Sequence, residues 1–234
     1  EITEGQPIGT IYGYKTDGIA QLGEDLSGIP FFAGKTLRHG DRKYVNKNDD
    51  NVINEEDLFI LGNANPDFTF GFNNTFNFKL RNNSSLGLTV YLQGAVGNEI
   101  VNFNKFSLES FDGYKNNSTA ALNRWTPDNP TNLYPRATTK TAGNILSDHY
   151  VEDGSYLRIK DITLSYTFPA NIIKKFYCEG LTIFAGLKNI HTFTDYSGYD
   201  PEVSRFANNN LSMGADYGSY PMSKSYEFGL RMNF

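Results

Sequence analysis

Ser225-Tyr-Glu-Phe-Gly-Leu-Arg-Met-Asn-Phe234 decides how the rest of the chain is read. Side chains on an extended strand alternate between two faces. Tyr226, Phe228, Leu230, Met232 and Phe234 therefore share one face, and Ser225, Glu227, Gly229, Arg231 and Asn233 share the other. A soluble sheet would fold the apolar face into a core. A transmembrane barrel would turn it to lipid and leave the polar face towards a wet lumen. The aromatic residue at the end, with no polar tail, favours the barrel.

The same alternation recurs upstream. Phe68, Phe70, Phe72, Phe76 and Phe78 oppose Thr69, Gly71, Asn73, Thr75 and Asn77, and Asn74 alone interrupts the aromatic row. A polar turn, Arg81-Asn-Asn-Ser-Ser85, leads to Leu86, Leu88, Val90 and Leu92 opposite Gly87, Thr89, Tyr91 and Gln93. These two runs read as an antiparallel hairpin. Ile162, Leu164, Tyr166 and Phe168 mark a further strand, and Leu181, Ile183, Ala185 and Leu187 another. Leu157 and Ile159 sit on the polar parity of the first of these, so either a bulge resets the register or they leave the membrane zone. Ile8–Gln21 reads as an additional strand with Ile8, Tyr12 and Tyr14 on one face, although Ile11 and Ile19 break its phase.

These six strands are joined in the order long, short, long, short, long. The long connections run to about 45, 60 and 35 residues, lengths that call for a function or for disorder. Outer-membrane barrels have this asymmetry, with tight periplasmic turns and long extracellular loops. It places the C-terminus on the periplasmic side. A soluble Greek-key sandwich has no reason to lengthen every second connection.

Composition agrees. Phe and Tyr are abundant, at 18 and 15 residues of 234, which suits strands. A net charge of −5 argues against a nucleic-acid partner. The single Cys178 excludes an intrachain disulfide framework. No apolar run reaches the ~18 residues of a membrane helix, and the mean hydropathy of −0.46 is compatible with alternating barrel strands. Six strands are fewer than the about eight needed to close a membrane barrel. Open edges in lipid would leave backbone groups unsatisfied. The expectation is a portion of a longer polypeptide, or one chain of a split barrel.

Two groups of loop residues carry candidate chemistry. Asn46-Lys-Asn-Asp-Asp-Asn-Val-Ile-Asn-Glu-Glu-Asp57 has the spacing of a twelve-residue calcium loop. Its oxygen ligands would be Asn46, Asn48, Asp50, the Val52 carbonyl, Asn54 and Asp57, with Ile53 packed inward and Asn51 at the sharp turn. The alternative is an ion-free turn held by side-chain to backbone hydrogen bonds. Arg124, Trp125, Asp128, Tyr134 and Arg136 lie in the longest loop and Tyr196, Tyr199 and Tyr217 in the next. Aromatics beside charged groups could stack on a sugar or grip a partner; equally, they could form the loop's own hydrophobic cluster. His39, His149 and His191 are scattered, without a nucleophile–base or zinc spacing, and are expected to be solvated; no catalytic residue is identified.

Five stretches resemble the C-terminal part of the SusC/RagA family of TonB-linked outer-membrane proteins. They are Gly5–Gly18, Gly62–Asn74, Ser147–Tyr166, Asn189–Thr194 together with Tyr196–Glu202, and the terminal aromatic strand, all in the family's order. The resemblance implies that residues 1–234 are the C-terminal part of a large plugged barrel that imports glycans or peptides. It further implies that the plug and the TonB-contacting segment lie outside these residues and that a SusD-type surface lipoprotein covers the barrel. The remaining barrel strands, outer-membrane lipid and TonB are the other expected partners. The family often reads Asp-x-Asn-x-Asp-Gly at the calcium-like loop, and this chain departs from it at Asn46 and Asn51. Calcium is the one candidate ion, and no cofactor is required. The fold class expected is thus all-β. The competing class is a secreted, calcium-stabilised β-sandwich that binds carbohydrate.

Overall fold

The computed structural model describes residues 3–111, 115–138, 145–174, 177–203 and 213–234. Five of the six expected strands form one antiparallel sheet: β1 (Phe68–Lys79), β2 (Ser85–Val96), β3 (Tyr156–Thr167), β4 (Gly180–Thr194) and β5 (Ser225–Asn233). Each strand pairs with its neighbour in sequence, giving the meander β5-β4-β3-β2-β1. The fold is all-β, as the alternation required.

Register carries the alternation across the sheet. Phe72 stands opposite Leu92, Phe76 opposite Leu88 and Phe78 opposite Leu86. Val90, Leu88 and Leu86 oppose Ile162, Leu164 and Tyr166, which in turn oppose Leu187, Ala185 and Ile183. Those meet Tyr226, Phe228 and Leu230. One face is therefore apolar from edge to edge along these pairings, save for Asn74 opposite Val90. It is not an interior: Phe68 is 56% exposed and Phe228 82%. No second sheet lies over this face within the unit that contains it, so a sandwich would lack its other layer.

The phase break in β3 is a bulge. The register shifts between Ile159 and Asp161 against both β2 and β4. Leu157 and Ile159 thereby pair with Gly94 and Leu92, on the apolar face, while Asp161 pairs with Tyr91 on the polar one. In β4 the matching irregularity includes Asn189 at φ 51°, a left-handed conformation that Asn tolerates well. It lets β4 continue to Thr194, six residues beyond the run read from sequence. His191 then lies in this strand with its ring 4.4 Å from that of Phe193, rather than in a solvated loop.

The polar face is tied laterally by short side chains. Thr75 and Thr89 hydroxyls are 3.3 Å apart, Thr167 and Thr182 3.0 Å, and Lys188 pairs with Glu227 at 2.5 Å. The β1–β2 turn, Leu80–Ser84, is closed by Leu80 N–H donating to the Ser84 carbonyl.

The sixth expected strand is a correction. Ile8–Gln21 does not join the sheet but divides into Thr10–Gly13, paired with Phe59–Asn63, and Thr16–Ile19, paired with Arg42–Tyr44. Ile11 and Ile19, the residues that broke its phase, are buried. A segment that buries side chains of both parities suits a short strand inside a folded unit, not a wall with one lipid face.

The chain resolves into two compact units. The sheet unit comprises residues 66–97, 154–196 and 220–234; the other comprises 1–65, 98–153 and 197–219. The second unit thus collects the long excursions. Its core is Ala20, Phe31, Leu37, Tyr44 and Ile53. Edge-to-face contacts join Tyr14, Phe32 and Tyr44 at 5.4–5.9 Å. A small sheet ties the excursions together: Glu99–Asn102 pairs with Val151–Asp153 on one side and with Ala215–Asp216 on the other.

Two outcomes test this arrangement. In the full-length protein in membranes, cysteines at positions 70, 72, 228 and 230 should react with a lipid-soluble maleimide, and those at 73, 75 and 227 with a charged one; the reverse pattern would invert the sheet. A Cβ at Gly94 would lie 2.5 Å from Phe70 Cζ and 2.5 Å from the Tyr156 carbonyl oxygen. Gly94→Ala should therefore cost about 1–3 kcal/mol by overpacking, measured by unfolding in lipid bilayers.

Candidate functional site

The chemistry-bearing side chains of the loop unit gather around a cavity of about 430 Å³ lined by Asn102, Asn104, Lys105, Leu108, Glu109, Ser118, Tyr134, Ser197, Gly198 and Tyr199. The local backbone explains the placement. Asn102 ends the strand Glu99–Asn102, and its side chain caps the helix Phe103–Leu108 by accepting from Lys105 N–H at 2.9 Å. Lys105 and Glu109 then follow at a spacing of four and share one face. Tyr134 and Ser197–Tyr199 arrive from two other segments.

A polar network fixes the wall. Glu152 accepts from the Ser197 hydroxyl and from Ser197 N–H, each at 2.9 Å, and pairs with the Lys105 ammonium at 3.3 Å. Asn102 Nδ2 donates to both Glu152 and Ser197. Lys105 also donates to the His149 carbonyl at 3.0 Å. Burial by itself would raise Glu152, but the Ser197 donors and Lys105 outweigh it and hold the carboxyl below the usual glutamate range.

Behind the wall, His149 Nε2 lies 3.2 Å from Glu109 Oε2, with the His149 side chain 9% exposed. Its ring meets Tyr150 at 4.8 Å and Tyr134 at 6.1 Å, edge to face. Burial lowers the His149 pKa and the Glu109 contact opposes this only in part. Tyr134 is raised by burial and by the Glu109 carboxylate. The expectation of a solvated His149 is therefore corrected: it is a buried, predominantly neutral imidazole at pH 7. His39 is half-buried, with Nδ1 2.8 Å from the Gln21 carbonyl.

Of the residues singled out from sequence, Tyr134 and Tyr199 reach the cavity, and Tyr199 is 73% exposed. Trp125 does not. It is 5% exposed, donates from Nε1 to Gln21 Oε1 at 2.9 Å, and packs on Gly40, where a Cβ would lie 2.4 Å from its ring. Gly40 has φ 88°, which further restricts the position to glycine. Arg136 is held by Asp41 at 2.7 Å, and Arg124 donates to the Ala121 carbonyl. Each member of this trio is thus tied to groups of the loop unit itself. Tyr196 is buried in the sheet unit. Tyr217 stacks on Phe103 at 4.2 Å. Lys105, Glu109 and Glu152 had no sequence signal beyond being charged loop residues.

The Asn46–Asp57 loop has the expected turn, with Asn51 at φ 64° and Ile53 buried. Its oxygens are spent on backbone donors: Asn46 Oδ1 accepts from Asn48 and Asp49 N–H, Asn48 Oδ1 from Asp50, Asp50 Oδ1 from Val52, and Asn54 Oδ1 from Glu56. Asp57 is fully buried and accepts from Lys47 and Asn54 N–H. The side-chain heads of Asn48, Asp50, Asn54 and Glu56 meet at 2.9–3.3 Å. Glu56, not Asp57, joins that cluster. Among the described residues no group of three or more His, Cys, Asp or Glu side chains is arranged to hold a metal.

No family model matches the chain. It is 33% identical over its whole length to TonB-dependent receptor P3 of Formosa agariphila, and 26% identical over 82% of its length to TonB-dependent receptor SusC of Bacteroides thetaiotaomicron. The chain is of the SusC/RagA type of TonB-dependent receptor. It spans 23% and 17% of the lengths of those two relatives. Its fold matches 23% of a chain in the structure of the RagAB peptide transporter, with TM-score 0.67, 21% identity and 96% of this chain covered. SusC/RagA-type receptors are outer-membrane proteins and not enzymes, which accords with the exposed apolar face of β1–β5.

The buried imidazole gives a pH test. Its folded pKa lies below the ordinary 6.5, so on acidification the unfolded chain takes up the proton first. The stability His149 contributes is complete above about pH 6.5 and lost as pH falls below it. Glu152, also depressed, loses its contribution only below about 4.5. Hydrogen exchange over residues 98–153, corrected for intrinsic rates, should thus accelerate between pH 7.5 and 5.5, and His149→Gln should flatten that change. Trp125→Ala should cost about 3–5 kcal/mol of local stability, read as lost protection around Gly40.

Proposed function

We propose that this chain supplies wall strands and extracellular loops of an outer-membrane, TonB-energised importer of glycans or peptides that works beneath a SusD-type surface lipoprotein. The single observation that carries this reading is the apolar face of β1–β5, broken only by Asn74 over the paired runs, with exposed side chains on the outer strands β1 and β5 and part-exposed ones on β2 between them. The relatives supply the class of machine. The outer edges of β1 and β5 have no partner strand among the described residues. In hydrocarbon each unpaired backbone group costs several kcal/mol, so both edges must pair with further strands of the same wall. The short connections, Leu80–Ser84 and 168–179, and the end of β5 then lie on the periplasmic side, and the long excursions face outward.

The test is uptake by cells carrying the full-length protein. Labelled glycans or peptides should enter, and entry should stop on collapsing the proton gradient or removing the lipoprotein. Full-length protein found in the soluble secreted fraction would instead favour the β-sandwich reading.

A second reading concerns Asn46–Asp57. The convergence of Asn48, Asp50, Asn54 and Glu56 supports a calcium site, in which Asn48 and Asn54 would give up the backbone N–H groups of Asp50 and Glu56 to present their oxygens to the ion. Calcium should then protect this loop from proteolysis with oxygen ligands at roughly 2.3–2.6 Å, and Asp50→Ala should abolish the protection. Protection that does not depend on calcium would leave the ion-free turn.

A further inference from the structure

We infer that the cavity between the helix Phe103–Leu108 and Tyr199 is a saccharide subsite, selective for neutral sugars, on the loop unit. The inference rests on the importer reading and names the ligand class of one pocket within it.

The argument begins with which groups have capacity left. Lys105 is committed to Glu152 and to the His149 carbonyl, and Asn102 to Glu152 and Ser197. The ring of Tyr199 is largely exposed. The amide nitrogen of Asn104 is buried without a hydrogen-bond partner among the described residues. Ser118 accepts from Ala120 N–H and keeps its hydroxyl proton to donate. Glu109 engages His149 through Oε2, which leaves Oε1 as an acceptor. A flat aromatic face, a carboxylate oxygen, an amide and a hydroxyl around about 430 Å³ suit a ring that presents C–H groups on one face and hydroxyls on its rim. That volume lies within the range of about 300–1,000 Å³ usual for small-molecule pockets.

Charge sets the selectivity. The charged residues lining the cavity are Lys105 and Glu109; Lys105 is neutralised by Glu152, while Arg42 acts on His149 without lining the cavity. The charge left facing the cavity is the Glu109 carboxylate, so sulfated sugars and uronates would meet like charge in a partly desolvated site. A peptide fits less well. Leu108 is the one aliphatic side chain in the lining. The adjacent strand Glu99–Asn102 already has a neighbour on both edges, which closes it to an added peptide strand.

The experiment uses the full-length receptor purified from outer membranes with its lipoprotein. It is probed with a neutral glycan array, with sulfated and uronate glycans, and with a random peptide library. Neutral glycans should be captured. Tyr199→Ala should weaken capture about tenfold, Tyr199→Phe should preserve it, and Glu109→Gln should weaken neutral glycans while relaxing rejection of anionic ones. Membrane levels serve as the folding control, because Tyr199 is exposed. Capture of anionic glycans or peptides in place of neutral glycans would overturn the inference, as would unchanged affinity in Tyr199→Ala. TonB-dependent peptide uptake that Tyr199→Ala leaves intact, with no neutral glycan bound, would overturn the subsite and spare the importer. No TonB-dependent uptake of any class would overturn both.

Discussion

A backbone in hydrocarbon has no water to hydrogen-bond, and the sheet unit is organised by that constraint. It requires each strand inside the membrane to pair on both sides, which the meander achieves for β2, β3 and β4 with strictly antiparallel neighbours. It also requires that one face stay apolar from strand to strand. The bulge at Ile159–Asp161 is where these demands meet. Without it, Leu157, Ile159 and Asp161 would share one face, so that either the two apolar residues would turn to the polar side or Asp161 would turn to lipid. A one-residue slip in a strand inverts every side chain beyond it, so an irregularity in β3 needs its counterpart in β4, and Asn189 is part of it.

The loop unit obeys the opposite rule. Its chain lies outside any regular ladder long enough to satisfy the backbone, and the side chains take over. Asp41 accepts from Arg38 N–H and pairs with Arg136, while Glu99 accepts from Asn63 N–H. Buried Asp41 and half-buried Glu99 act as staples between segments far apart in sequence. Removing one partner of such a pair leaves a charge stranded away from water, a loss of about 3–5 kcal/mol where burial is complete. The apolar cluster around Tyr14, Phe32 and Tyr44 gives the first excursion an interior that the sheet itself does not possess.

A separate network, centred on Glu152, builds the wall of the cavity. Lys105 and Glu109 come from a short helix, Tyr134 from an extended segment and Ser197–Tyr199 from the excursion between β4 and β5. Glu152 joins them through Ser197 and Lys105. Its network satisfies Asn102, Lys105 and Ser197, and leaves the Asn104 amide nitrogen and the exposed ring of Tyr199 for the proposed ligand. Binding is then accompanied by little reorganisation, which favours affinity.

The sequence by itself determined the wall. Alternation with period two is a local property, legible in Phe68–Phe78 or Tyr226–Phe234 without any knowledge of neighbours, and the spacing of those runs determined which connections are long. The turn at Asn51 was legible for the same reason, as was the phase break in β3, which left a bulge and an exit from the membrane zone as alternatives until the register showed the bulge. Tertiary structure alone decided what the excursions do. Ile8–Gln21 alternates well enough to pass for a strand of the wall, yet the burial of Ile11 and Ile19 assigns it to the loop unit. Trp125 next to charged residues looks like a ligand platform until Gly40 and Gln21 close over it, and His149 looks solvated until Glu109, Tyr134 and Tyr150 surround it. A site whose members are separated by up to 95 residues, as Asn102 and Ser197 are, leaves no periodic trace. Its geometry depends on which distant segments satisfy one another's hydrogen bonds, and no local pattern records that.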